Sequence, residues 1–278
     1  MNILEFSLLV WLGSLSAGFL GALTGLGGGV VIVPLLTVVF GVDIHYAIGA
    51  SLVSVIATSS GAASAYVKEG YTNLRLGMFL EVATTFGAIF GAIVAAKIST
   101  QILAIVFGII LLYSAYLSRQ SRNEHLNNLS SNPLAIRLKL TGTYPTPEGE
   151  QSYNVRSVTF GFGLMFVAGV ISGLLGIGSG AFKVLAMDRV MRIPFKVSTT
   201  TSNFMIGVTA AASAGIYLSR GYIDPGLTMP VMLGVLLGAV LGARILMRAR
   251  VPLLRNIFSV VILMLALEMI YKGLTGKL

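Results

Sequence analysis

Two glycine-rich runs, a lysine and two hydroxyl-rich stretches are the parts of this chain with chemistry to offer. Gly25-Leu26-Gly27-Gly28-Gly29 and Gly176-Ile177-Gly178-Ser179-Gly180 each interrupt a long apolar stretch. Gly costs about 1 kcal/mol relative to Ala inside a helix, so runs this dense should break one. A break leaves unpaired N–H groups, with a partial positive charge, at the start of the next helical piece. Those pieces begin here near Val30 and Ala181. Such an end holds anions, and Gly lets a ligand come close to the backbone. The competing reading is packing, because Gly21, Gly25 and Gly29 recur every four residues, as in close helix contacts.

Lys183 lies three residues past Gly180 and nine before Arg192. Nine residues are ~13 Å of helix, which puts the lysine near the middle of a bilayer. A charge at that depth is costly and defaults to function. It either contacts an anionic substrate or forms a buried ion pair with Glu81 or Asp188. Ser51, Ser54, Thr58, Ser59 and Ser60 enrich one predicted helix in hydroxyls, and Thr199, Thr200, Thr201, Ser202, Asn203 and Thr209 enrich another. These groups can donate to oxyanion oxygens, or they can bond to their own or neighbouring helices.

The candidate substrate-binding set is therefore Gly25, Gly27, Gly28, Gly29, Ser51, Gly176, Gly178, Ser179, Gly180, Lys183, Thr200, Thr201, Ser202 and Asn203. Glu81, about two turns into its span, is the candidate proton carrier. No catalytic residue, metal ligand or cofactor is expected. The chain has no cysteine, no HExxH, GxSxG or P-loop, and no complete GxGxxG. His45 and His125 fall in separate loops, and His45 reads as a surface or capping residue.

The elements that must position these residues are membrane helices. Of 278 residues, 55% are hydrophobic and 10% charged, against about 25% charged in soluble domains. Apolar runs such as Met78–Ala96 and Ile102–Ser118 recur end to end, each near the ~20 residues that cross a bilayer. The fold class is an all-α integral membrane protein.

The chain also repeats itself at an offset of 151 residues over about eighty positions without a gap. Ala17-Gly18 matches Ala168-Gly169, and Ser51 matches Ser202. Tyr66, Gly70 and Tyr71 match Tyr217, Gly221 and Tyr222, and Gly87-Ala88 matches Gly238-Ala239. Three parts result: a first membrane repeat over 1–118, a polar linker over 119–157 and a second repeat over 158–278. In the linker, the alternation at 136–140, the turn signal Thr146-Pro147-Glu148-Gly149 and a second alternation at Tyr153–Arg156 read as a small β-hairpin or an irregular connection.

Three spans close each half: 47–67, 76–96 and 102–118, then 197–218, 227–247 and 254–272. Each half opens with a Gly-broken pair of helical pieces, either two crossings or a re-entrant hairpin. Both options give an odd half, so its homologue must enter the membrane upside down. With the N-terminus outside, Lys68, Arg75, the five basic residues of 119–157, Arg189, Arg192, Lys196, Arg248, Arg250 and Arg255 fall inside. Only Lys97, Arg220, Lys272 and Lys277 fall outside. The expectation is two inverted repeats of five helical segments each, with both termini outside and 119–157 cytoplasmic. Basic residues in short loops are orientation signals, so no nucleic-acid partner is expected.

Gly25-Leu26-Gly27-Gly28-Gly29 with Pro34 beyond it, Ala47-Ile48-Gly49-Ala50-Ser51-Leu52, and the matching runs at 176–180 and Ser198-Thr199-Thr200-Thr201-Ser202-Asn203 resemble the TauE/SafE (sulfite exporter, TSUP) family. The resemblance covers nearly the whole chain. It implies transport across the cell membrane of a sulfur-containing or organic anion such as sulfite, sulfoacetate or another sulfonate. One departure breaks the symmetry, because Ala181-Phe182-Lys183 stands where the first half has Val30-Val31-Ile32. A secondary transporter, driven by protons, another coupling ion or the substrate's own gradient, is the leading expectation. An anion channel on the same scaffold is the alternative. A membrane enzyme or sensor lacks any catalytic constellation here.

Overall fold

The structure is a computed structural model that describes residues 2–24, 28–68, 70–119, 132–146, 149–246 and 251–276. The first half contains α1 (Ile3–Thr24), α2 (Gly29–Pro34, continued as π-helix over Leu35–Val39), α3 (Ile44–Lys68), α4 (Leu74–Ala95) and α5 (Thr100–Arg119). The second contains α7 (Val158–Leu175), α8 (Gly180–Leu185, continued as π-helix over Ala186–Val190), α9 (Phe195–Ser219), α10 (Pro225–Leu246) and α11 (Val251–Thr275). The starts of α2, α3, α4, α5 and both π-helical turns recur at the repeat offset of 151. The caps recur too: Asn73 accepts from Leu76 N at 3.0 Å at the start of α4, and Asp224 accepts from Leu227 N at 3.2 Å at the start of α10.

The six spans expected from apolar runs correspond to α3, α4, α5, α9, α10 and α11, whose ends lie within three residues of the expectation. Among the described residues, four helices are both long and apolar enough to cross a membrane, within α1, α4, α7 and α10. The apolar parts of α3 and α5 are shorter, 44–60 and 100–116. In α9 the Thr199–Asn203 cluster lowers the hydropathy of an otherwise long helix.

The halves pack by exchanging partners. Helix α4 lies on α7, α10 lies on α1, and α3 and α5 meet their own counterparts α9 and α11. Glycine makes the first two contacts possible. A Cβ at Gly87 would sit 2.2 Å from Phe166 O, and at the equivalent Gly238 it would sit 2.0 Å from Leu15 O. Backbones this close gain dispersion where lipid removes any hydrophobic drive between helices. On the opposite side of α4, Met78, Val82, Phe86 and Phe90 are exposed at one-turn spacing, a face suited to lipid.

The linker folds onto one end of this bundle. No strand forms at 136–140, and of 153–156 only Tyr153 belongs to one. Asn132 caps a short helix, α6 (Pro133–Arg137), through Leu134 N at 2.9 Å, with Pro133 at its first position. Lys139 follows in a left-handed conformation at φ 52. The strands lie instead at β1 (Gly142–Thr146) and β2 (Gly149–Tyr153), antiparallel, with Gly142 opposite Tyr153 and Thr146 opposite Gly149. Pro147 and Glu148 of the expected turn lie outside the described residues. Leu140, Tyr153 and Val155 pack with Leu76, Met191 and Val197. Asn73 Nδ2 donates to Leu140 O at 2.9 Å and to Tyr153 Oη at 2.6 Å. A cavity of about 340 Å³ remains between 71–75 and the linker, with Arg75 and Lys139 in its wall.

Candidate functional site

The glycine turn of the second half is built by conformation and contact together. Helix α7 ends on Gly176 at φ 67, and Gly178 at φ 68 and Ser179 at φ 47 follow before α8. Left-handed φ at two of these positions selects Gly. A Cβ at Gly178 would also lie 2.8 Å from Ile206 Cγ2, and at Gly180 2.7 Å from Ile206 Cδ1. The first turn meets the second: a Cβ at Gly29 would lie 2.8 Å from Ser51 Oγ and 3.0 Å from Gly176 O. At Gly28 it would lie 2.8 Å from Val235. Gly25 and Gly27 lie outside the described residues. At Gly28, Gly29, Gly176, Gly178 and Gly180, then, the missing side chains make room for protein neighbours.

The hydroxyls divide into three sets. Ser51 Oγ donates to Gly176 O at 2.7 Å, and Ser202 Oγ to Gly180 O at 3.3 Å. Both serines therefore hold the second turn. Thr200 Oγ1 donates to Tyr71 O at 3.0 Å, and Thr201 Oγ1 accepts from Asn73 N at 3.1 Å, so these two threonines fasten the loop before α4. At the position equivalent to Thr200, a Cβ on Gly49 would lie 2.3 Å from Tyr222 O. The same loop-to-helix contact thus occurs in both halves, made by different residues. Ser179 Oγ is buried without a hydrogen-bond partner, and Asn203 is half-buried.

The third set surrounds Lys183. This lysine is 0% exposed, one turn into α8. Its Nζ donates to Thr209 Oγ1 on α9 and lies 3.9 Å from Glu81 Oε2 on α4. Thr209 Oγ1 contacts Glu81 Oε1 at 2.7 Å and Met205 O at 2.9 Å. Thr85, one turn past Glu81, donates to Oε1 at 3.1 Å. Glu81 Oε2 is buried and receives no hydrogen bond, with the ammonium as its only charged neighbour among the described contacts. Lys183 therefore has the carboxylate partner that its depth demands, and the partner is Glu81. Asp188 instead lies 3.9 Å from Arg189.

None of these charges has a counterpart in the other half. Position 32 is Ile where the second half has Lys183, and position 232 is Met where the first half has Glu81. Thr209, by contrast, is matched by Thr58. Thr85 and Thr209 were not among the expected site residues. The available signal was the one-turn spacing of Thr85 from Glu81 and the place of Thr209 in the hydroxyl-rich helix.

His45 is buried near the start of α3. Asp43 Oδ1 accepts from its backbone N at 2.8 Å and lies 3.1 Å from Nδ1. The ring lies 3.3 Å from Ala95 O through Nε2 and stacks on Tyr222 at 4.9 Å. Asp43 thus caps the helix, and the histidine joins α3, the end of α4 and the loop before α10.

Apolar helices that recur at a fixed offset and pack around a buried Lys183–Glu81 pair make this a multi-pass membrane protein. The chain belongs to the sulfite exporter TauE/SafE family, whose model matches residues 10–269. It is 29% identical to the "probable membrane transporter protein" YunE of Bacillus subtilis (strain 168), over 98% of this chain and 99% of that one. It is 28% identical to YdhB of the same organism, over 85% and 87%. A "probable membrane transporter protein" of Xylella fastidiosa (strain 9a5c) is 27% identical over 96% of both chains. No solved structure matches the chain.

Proposed function

We propose that this protein is a secondary transporter of the cell membrane that carries a small sulfur-containing or organic anion, with sulfite and sulfonates the expected class. The observation that carries this reading is Lys183. Helix starts recur in the two halves, but this cation and its carboxylate have no counterparts, and they lie buried, Lys183 completely, beside the broken helix of the second half. Inverted-repeat carriers place their sites where helices break near the midplane. An unpaired ammonium at that depth costs at least ~2.5 kcal/mol on insertion scales; Glu81 offsets that cost, and a buried charge pair inside a membrane defaults to function.

The proposed arrangement is two inverted repeats, with both termini outside and the linker inside. The exchange of partners between α4·α7 and α1·α10 supports a twofold relation between the halves. The Lys/Arg distribution supports its orientation. Full burial of Lys183 favours a carrier over a channel, because the anion reaches it only after a conformational step. Ser51, Ser202, Thr200 and Thr201 act as fasteners of the turns and of the loop before α4, and the anion meets the Lys183 side of the second turn. No nucleotide-binding motif is present, so a gradient drives the cycle.

The test is a thermal-shift screen of the purified protein against sulfite, thiosulfate, sulfonates and small carboxylates, with chloride as the control. Stabilisation by at least one oxyanion, abolished in Lys183→Met/Glu81→Gln, is expected. Stabilisation that survives the double substitution would remove Lys183 from the site.

A further inference from the structure

The buried pair carries an inference about coupling that rests on the transport reading above. Glu81 presents two unequal oxygens. Oε1 meets Thr85 and Thr209, whereas Oε2 is buried without a hydrogen bond and faces the Lys183 ammonium at 3.9 Å. That separation is longer than a charge-assisted hydrogen bond, ~2.7–2.9 Å. The ammonium hydrogen bond goes to Thr209, so the carboxylate neutralises Lys183 without being locked to it.

We propose that Glu81 is the resident counter-ion which the transported anion displaces from Lys183, and that Glu81 takes up one proton as it is displaced, so that a monovalent anion and a proton cross together, one for one.

The argument is charge balance in a buried site. Lysine with glutamate sums to zero, and so does lysine with a bound anion and protonated glutamate. Protonation without the anion leaves one buried positive charge, and anion binding without the proton leaves one buried negative charge. Each of these is an unpaired ion in low dielectric, the arrangement that buried sites least tolerate. The two neutral states are the ones able to cross, which makes transport of a monoanion electroneutral. The proton comes from solution, forms an O–H bond at Glu81 and returns to solution on the far side.

Among the described residues of the helices around the pair, no other charge is placed to replace Glu81. On α4 the other charged residue is Arg75, six positions earlier and at the helix start. Helix α7 has none, and α9 has Lys196 in its first turn. On α8 and its π-helical continuation, Asp188 and Arg189 pair with each other. Symmetry offers no substitute, because Met232 and Ile32 are the equivalents of Glu81 and Lys183.

The experiment uses the full chain in liposomes with radiolabelled methanesulfonate and isethionate, monoanions that stay ionised, so any proton must be carried by the protein. Wild type should exchange the label without a gradient. It should accumulate the label when the outside is more acidic, towards about tenfold per pH unit at one-to-one stoichiometry. A potassium–valinomycin potential should have no effect. Glu81→Gln should lose accumulation driven by pH, Glu81→Asp should recover it in part, and Lys183→Met/Glu81→Gln should lose exchange altogether.

Exchange by wild type with accumulation that follows potential and ignores pH overturns the coupling while leaving transport intact. Absence of exchange with either sulfonate overturns the substrate reading on which the coupling rests. Accumulation by Glu81→Gln that still follows pH removes Glu81 as the carrier. If that variant does not insert, reaction of wild-type Glu81 with dicyclohexylcarbodiimide, which needs the protonated acid, decides the point. Labelling of its peptide should rise with methanesulfonate, and an unchanged yield overturns the proposal.

Discussion

Ser51 Oγ donates to the carbonyl of Gly176 at 2.7 Å, so a hydroxyl of the first half closes the broken helix of the second. That carbonyl stands at the end of α7, where helix geometry no longer supplies a donor. Removing the hydroxyl leaves a buried acceptor open, at a cost of about 1–3 kcal/mol. Ser51→Ala should lower the melting temperature of the purified protein, whereas Ser202→Ala, whose bond is 3.3 Å, should lower it less. Equal or reversed effects would show that the two serines are not ranked by these bonds.

Gly178→Ala should destabilise through backbone and contact at once. At φ 68 a Cβ is disfavoured by about 1–2 kcal/mol, and this one would press on Ile206 at 2.8 Å. Pairing it with Ile206→Ala should recover the contact part and leave the backbone part. Additive losses in a double-mutant cycle would mean that the turn shifts away from α9 instead.

Neutralising one member of the Lys183–Glu81 pair should cost more than neutralising both. Lys183→Met strands a buried carboxylate, for which losses of about 3–5 kcal/mol are usual, and Lys183→Met/Glu81→Gln should recover most of that. Lys183→Arg keeps the charge and should keep part of the anion response. Melting curves with and without sulfite measure stability and binding in one series. A double variant no more stable than Lys183→Met contradicts the pairing.

The proposed topology can be read with single cysteines, because the chain has none of its own. Arg220→Cys, in an exposed loop, should react with an impermeant maleimide added to intact cells. Thr143→Cys, exposed on β1, should react only after permeabilisation. A cytoplasm-dependent reporter fused after Leu278 should stay silent. Labelling of Thr143→Cys from outside reverses the orientation, and an active reporter makes the repeats parallel.

Burial pushes the Tyr153 phenol up to about 12, against a smaller opposing effect of the Asn73 hydrogen bond. A phenol harder to ionise in the fold than in the unfolded chain stabilises the fold below its ordinary value of 10.0, and that contribution fades as pH climbs towards about 12. Wild type should therefore lose melting temperature over this window more steeply than Tyr153→Phe. Parallel pH profiles would show that Tyr153 does not anchor the linker.

The sequence by itself determined the repeat and the helices, because both depend on local spacing. Apolar runs set the helix positions to within a few residues, and the offset of 151 that aligns Gly87 with Gly238 also aligns the helices they belong to. Lys183 stood out by depth alone, but its partner did not. Sequence spacing leaves both Glu81 and Asp188 open as that partner, and only the approach of α4 to α8 and α9 selects Glu81. The roles of Thr200 and Thr201 were likewise hidden, since their partners Tyr71 and Asn73 lie in the other half. A hydroxyl donates to an oxyanion or to a carbonyl with equal ease, and tertiary placement decides which it meets. The linker strands were misplaced for a related reason. Alternation over five residues is a weak signal, and at 136–140 it lost to the Asn132 cap, Pro133 and the left-handed Lys139.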